Sequence, residues 1–141
     1  MSTTGYFIED LEVGMSADYV RVVKEEDIQL FADVSGDTNP VHLDQDYAAE
    51  TMFKQRIAHG MLSASYISTV LGTILPGPGA IYLSQTLRFK APVFIGAEVT
   101  ARLTVSEINA EKRRVTLSCV CLVNDKPVVE GESMVMVPSK A

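Results

Sequence analysis

Tryptophan is absent from this sequence, and cysteine and histidine occur only twice each. Two cysteines cannot build a disulfide framework in a chain of 141 residues. Cys119 and Cys121 fall in an alternating apolar run, so in a strand both point to the same face and are poorly placed to bond to each other. They read as core thiols of a reducing compartment, and C-x-C without further cysteines makes a poor metal signature. Positive charge is scarce as well: twelve Lys plus Arg stand against eighteen Asp plus Glu, a net charge of −6. That balance argues against a nucleic-acid partner, which needs clustered cations, but leaves room for a small anion held by a local pair. The first residues, Met1-Ser2-Thr3-Thr4-Gly5, lack the basic region and apolar core of a signal peptide. No internal repeat, linker or low-complexity tract interrupts the chain.

One absence points the other way. No charged residue occurs from Gly60 to Leu87, a window long enough to suggest a membrane span. Yet Ser63, Ser65, Ser68, Thr69 and Thr73 punctuate it and Pro76-Gly77-Pro78-Gly79 ends it, so its helical part, Met61 to Leu75, is too short and too polar to cross. A buried helix is expected instead, no membrane association, and a cytoplasmic location.

At 141 residues and 47% apolar composition, the chain is expected to form one domain over residues 1–141 and is too apolar for wholesale disorder. Tyr6 to Val22 reads as an irregular start and a first strand, with Gly14 at a turn. Glu25 to Val34 carries one apolar face through Ile28, Phe31, Ala32 and Val34, with acidic residues at its N-terminal end and Gly36 as a left-handed cap. Asp37 to His42 reads as a non-helical turn because Asn39 precedes a proline, and Asp44 caps a short helix through Ala48, Ala49 and Met52. Four alternating runs follow the apolar helix: Ile81 to Lys90, Val99 to Val105, Val115 to Val123 and Val128 to Val137. Glu111-Lys112 and Asn124-Asp125-Lys126 mark hairpin turns. Helices first and an antiparallel meander after them mean an α+β fold, with one long helix lying on a curved sheet.

Two segments carry chemistry. In Ser35-Gly36-Asp37-Thr38-Asn39-Pro40-Val41-His42, an acid and an imidazole stand five positions apart across a turn stiffened by proline. Such a pair can bind and activate one water; the bland alternative is a structural turn. In Ile57-Ala58-His59-Gly60-Met61, glycine at the start of a buried helix exposes a backbone N–H at the positive end of the dipole, which suits a developing oxyanion. His59 reads as a structural imidazole. A metal is not expected, since Asp37 is the only obvious third ligand beside the two histidines.

Gly36-Asp37-x-Asn39-Pro40-x-His42 followed by Ala58-His59-Gly60-Met61 resembles the hydratase 2 motif of the MaoC-like (R)-specific enoyl-CoA hydratases. Leu87-Arg88-Phe89-Lys90-Ala91-Pro92-Val93-Phe94-Ile95-Gly96 is similar to that family's third strand and the turn after it. The resemblance runs from Leu11 to Val137 with no departure at a motif position. It implies the hot-dog fold, an antiparallel sheet wrapped around a long helix. It implies that Asp37 and His42 are the catalytic pair, that Asn39 orients the water or the loop, that the Gly60 N–H holds the thioester oxygen, and that Ser68 supports the active-site loop. It further implies a homodimer, an acyl-CoA thioester substrate and no cofactor beyond the coenzyme A that carries it.

Arg88 and Lys90 are candidates for the carrier's phosphates, with Lys54 and Arg56 as rivals and a solvated strand face as the bland reading. Gln85, on the apolar face of its strand, needs partners, which a dimer mate can supply. Met61 and Met134 read as core fillers. Competing activities are 3-hydroxyacyl-[acyl-carrier-protein] dehydration, thioester hydrolysis, and non-catalytic binding of acyl-CoA.

Overall fold

The structure, a computed structural model, describes residues 3–141. Strand β1 (Ser16–Val22) leads into helix α1 (Glu25–Ser35), the one-turn helix α2 (Pro40–Leu43), α3 (Gln45–Ala49) and the long α4 (Gly60–Thr73). Strands β2 (Ile81–Phe89), β3 (Glu98–Asn109), β4 (Arg114–Val123) and β5 (Lys126–Met136) complete the chain. Gly36 ends α1 in the left-handed region at φ 77°, and Asn124-Asp125, both at positive φ, make the two-residue turn between β4 and β5.

All strand pairs are antiparallel, in the order β1-β3-β4-β5-β2. Helix α4 touches every one of the five strands, the hot-dog arrangement. The reason lies in the two periodicities. Val99, Ala101, Leu103 and Val105 of β3 and Val115, Leu117, Cys119 and Cys121 of β4 turn one face inward, and Leu62, Tyr66, Ile67, Val70 and Leu71 of α4 meet it. Both cysteines are buried and free. No helix among the described residues is long and apolar enough to cross a membrane.

Four expectations need correction. Pro40 forbids helix before it but starts one well: Asn39 is the N-cap and Pro40 the first residue of α2, so His42 sits on a helical turn rather than in a loop. A register shift between Tyr82 and Ser84 breaks the alternation of β2, so Tyr82 pairs with the buried Val135 and Ile81 is left exposed. The run from Leu87 ends the second strand in chain order, not the third. Met61 is no core filler: it is 54% exposed, on a bare stripe of α4 that continues through Ser68 and Gly72.

Candidate active site

Three connections hold the Ile57-to-Met61 segment in place. The Ala58 N–H donates to the Val93 carbonyl at 2.7 Å, the Ile57 N–H to the Val41 carbonyl at 3.3 Å, and a lone bridge pairs Ile57 with Phe94. The segment leading into α4 is thereby tied to α2 on one side and to the chain after β2 on the other. Arg56 adds a further anchor. Its Nε donates to the His42 carbonyl at 2.7 Å while its guanidinium pairs with Glu25 of α1 at 2.8 Å. Arg56 is thus engaged within the chain rather than free for a ligand's phosphate.

These ties close a cavity of about 590 Å³ at the N-terminus of α4. Asp37, His42, His59, Gly60, Met61 and Ser63 line it from the helical side. Phe89 of β2, Val129 of β5 and Lys90, Pro92 and Val93 of the chain after β2 line it as well, together with Met52 and Phe53. A carboxylate oxygen of Asp37 and one ring nitrogen each of His42 and His59 lie within 4.8 Å of one another. Asp37 is exposed, whereas His42 and His59 are buried.

The tautomers follow from the acceptors. His42 Nδ1 is 2.8 Å from the Ile57 carbonyl oxygen, which can only accept, so Nδ1 carries the hydrogen and the neutral ring keeps its lone pair on Nε2. His59 Nε2 is 2.9 Å from the Asp37 carbonyl and donates to it. The two imidazoles stack at 3.9 Å with their planes 28° apart. Burial pushes the His42 imidazole below its ordinary pKa and the His59 ring adds to the depression, while the Ile57 carbonyl and the Asp37 charge oppose it.

Asn39 shapes the turn rather than facing the cavity: its Oδ1 accepts from the Val41 N–H at 3.1 Å and so caps α2. Gly60, the first residue of α4, has no carbonyl four positions back within the helix to bond, so its N–H belongs to the open positive end. Ser68 is not brought to the pair. It is exposed and lines a second concavity between α4 and β2, with Phe31, Ala64, Tyr82, Leu83 and Gln85. Lys90 lines the main cavity, and Arg88 lies apart from it. Gln85 finds its partners inside the chain, accepting from Ser133 Oγ at 2.5 Å and donating to the Thr86 carbonyl at 2.8 Å. Sequence reasoning missed Phe89, Met52 and Phe53 as cavity walls and Arg56 as the anchor of α2. Glu25 and Arg56 lie 31 positions apart, and no local pattern announces their pairing.

The MaoC-like domain model matches residues 10–123. The chain is 56% identical to the (R)-specific enoyl-CoA hydratase of Rhodospirillum rubrum, covering 96% of this chain and 94% of that protein. It is 49% identical to the 3-hydroxybutyryl-CoA dehydratase of Methylorubrum extorquens, covering 95% and 85%. Among solved structures, the unliganded R-hydratase PhaJ1 of Pseudomonas aeruginosa superposes with a TM-score of 0.91 at 50% identity, covering 96% of this chain and 88% of that one.

Proposed function

The chain belongs to the MaoC-like domain family, and on that footing we propose that it is a hydro-lyase catalysing the reversible (R)-specific hydration of trans-2-enoyl-CoA. The observation that carries the reading is the meeting of Asp37 and His42 in a cavity that also opens on the first amide of α4. In a 2-enoyl thioester, C3 is electrophilic only when the carbonyl is polarised. The Gly60 N–H, at the positive end of α4, takes the thioester oxygen and holds the enolate charge as it develops, worth on the order of 3 kcal/mol for one such donor.

Water sits between Asp37 and His42, giving one hydrogen to the carboxylate and one to the free Nε2. His42 takes the second proton as the water oxygen bonds to C3. The electron pair of the alkene moves to the thioester oxygen. The imidazolium, steadied by the Asp37 charge, then returns that proton to C2 from the same side. Hydroxyl and hydrogen have added syn, and the base is regenerated. The step needs no redox agent, and we assign it no metal or cofactor beyond the coenzyme A of the substrate. Lys90, on the cavity wall, is the better placed of the two proposed phosphate contacts, ahead of Arg88.

Coenzyme A is preferred to acyl carrier protein as the carrier because the relatives at 56% and 49% identity are named for CoA thioesters. We assign the protein a homodimeric state. Edge strand β2 pairs only with β5 and leaves Ile81, Leu83 and Phe89 exposed beside the bare stripe of α4. Two such edges side by side cover both. Purified protein should consume the conjugated absorbance of crotonyl-CoA, release (R)-3-hydroxybutyryl-CoA and run at twice the chain mass in light scattering. Binding of crotonyl-CoA without turnover, release of free thiol, or faster turnover of crotonyl-carrier protein would each replace this reading with one of its rivals.

A further inference from the structure

We propose that His59 is a positioning residue that holds Asp37 and His42 at working distance, through the backbone of the first and the ring of the second. The proposal rests on the hydratase reading and goes beyond it. Asp37 sits in an exposed turn whose other hydrogen bonds are short in range. The Asp37 N–H donates to Ser35 Oγ, the Thr38 N–H to the Gly36 carbonyl, and the Asn39 N–H to Asp37 Oδ1. Bonds spanning two residues shape a turn but do not place it against the rest of the molecule. Among the described residues, the bond from His59 Nε2 to the Asp37 carbonyl, across 22 positions, is the one hydrogen bond from residues 36–39 to a distant part of the chain.

The ring is itself well located. His59 is the N-cap of α4 and 2% exposed. The ring meets Phe31 of α1 at 4.9 Å between centroids and stacks on His42 of α2. The column Phe31, His59, His42 therefore spans three helices. With Nε2 donating to a carbonyl, Nδ1 is a buried acceptor without a partner. A leucine or phenylalanine would fill the same volume, and only a side chain with an N–H at this reach also secures the Asp37 turn.

The test compares His59→Phe, which keeps a ring and loses the donor, with His59→Gln, whose amide nitrogen has similar reach. Melting temperature, kcat and KM for crotonyl-CoA are measured on both and on the unaltered protein, with His59→Leu taking the place of His59→Phe if that variant does not fold. Misplacing a reacting group by an ångström costs about 100-fold, so kcat should fall on the order of 30- to 100-fold in the donor-less variant with KM within about threefold. Glutamine should recover most of that loss at a similar melting temperature. A donor-less variant with near-normal kcat overturns the proposal, and so does loss of kcat in both variants in step with melting temperature. An unaltered protein inactive on every enoyl thioester fails the hydratase reading instead, so the two failures are distinct.

Discussion

Gly60 lies so close to Phe89 that a Cβ added to it would stand 2.7 Å from Cε1 and 2.8 Å from Cδ1 of the ring. The glycine is therefore required by the cavity wall and not by backbone conformation. Gly60→Ala should leave stability within about 1 kcal/mol, since alanine is the better helix former, yet push the Phe89 ring from its place on the cavity wall. A fall in kcat/KM on the order of tenfold is expected. The double variant Gly60→Ala, Phe89→Leu should regain most of it, and steady-state kinetics on the pair checks the steric account.

Asp37→Asn and His42→Gln should each lower kcat by about 100- to 10,000-fold, the usual worth of a positioned acid or base. The Asp37 side chain is exposed, so its replacement should hardly change the thermal midpoint. His42 is buried and bonded to Ile57, so its replacement should cost about 1 kcal/mol. Near-normal turnover in either variant, with cooperative melting retained, removes that residue from the pair.

The pH profile follows from the His42 environment. The base must be neutral to accept a proton, so kcat/KM rises with pH through its pKa and is level above it. Burial and the His59 ring lower that pKa from the ordinary 6.5, so the acid limb should be centred below 6.5 and the plateau reached by neutrality. The Asp37 charge opposes the depression, so an NMR titration of the His42 ring should move further down in Asp37→Asn. A shift upward would contradict the assignment.

Away from the site, the buried Asp27 carboxylate is held by Arg21 through two bonds, of 2.7 and 3.0 Å, and accepts the Lys24 N–H at the start of α1. Arg21 first, then the backbone contact, lowers its pKa from 3.8 against the opposing effect of burial. A carboxyl with a depressed folded-state value adds stability above its unfolded value, and that stability is lost as pH falls through the folded value. Denaturation of the unaltered protein should steepen below about pH 4, and Asp27→Asn should flatten that region. Arg21→Met should cost about 1–3 kcal/mol at neutral pH in a urea titration, because it strands a buried charge.

The helix and strand periods of residues 60–75 and 99–137 are strong enough to show a long apolar helix on an antiparallel meander. Local chemistry is equally readable where it acts within a few positions, as in the Gly36 cap, the Asn124-Asp125 turn and the Asp44 cap, whose carboxylate accepts the Tyr47 N–H. The expectation fails where one residue shifts a register, as at the irregularity near Leu83, because alternation records the face of a strand and not an inserted residue. It also fails at the edge of the sheet: Ile81, Leu83 and Phe89 of β2 read as core from their alternation, yet stand exposed.

The acid, the imidazole and the glycine amide were legible as residue types at set spacings, since proline, glycine and helix polarity act locally. Their convergence was decided in three dimensions. The 2.9 Å bond from His59 to the Asp37 carbonyl, the stack of His59 on His42 and the grip of Arg56 between Glu25 and the His42 carbonyl each join parts of the chain too distant in sequence for any local rule to couple. Short-range preferences set which conformations each segment can adopt, and only packing of the segments against one another selects the distances on which proton transfer depends.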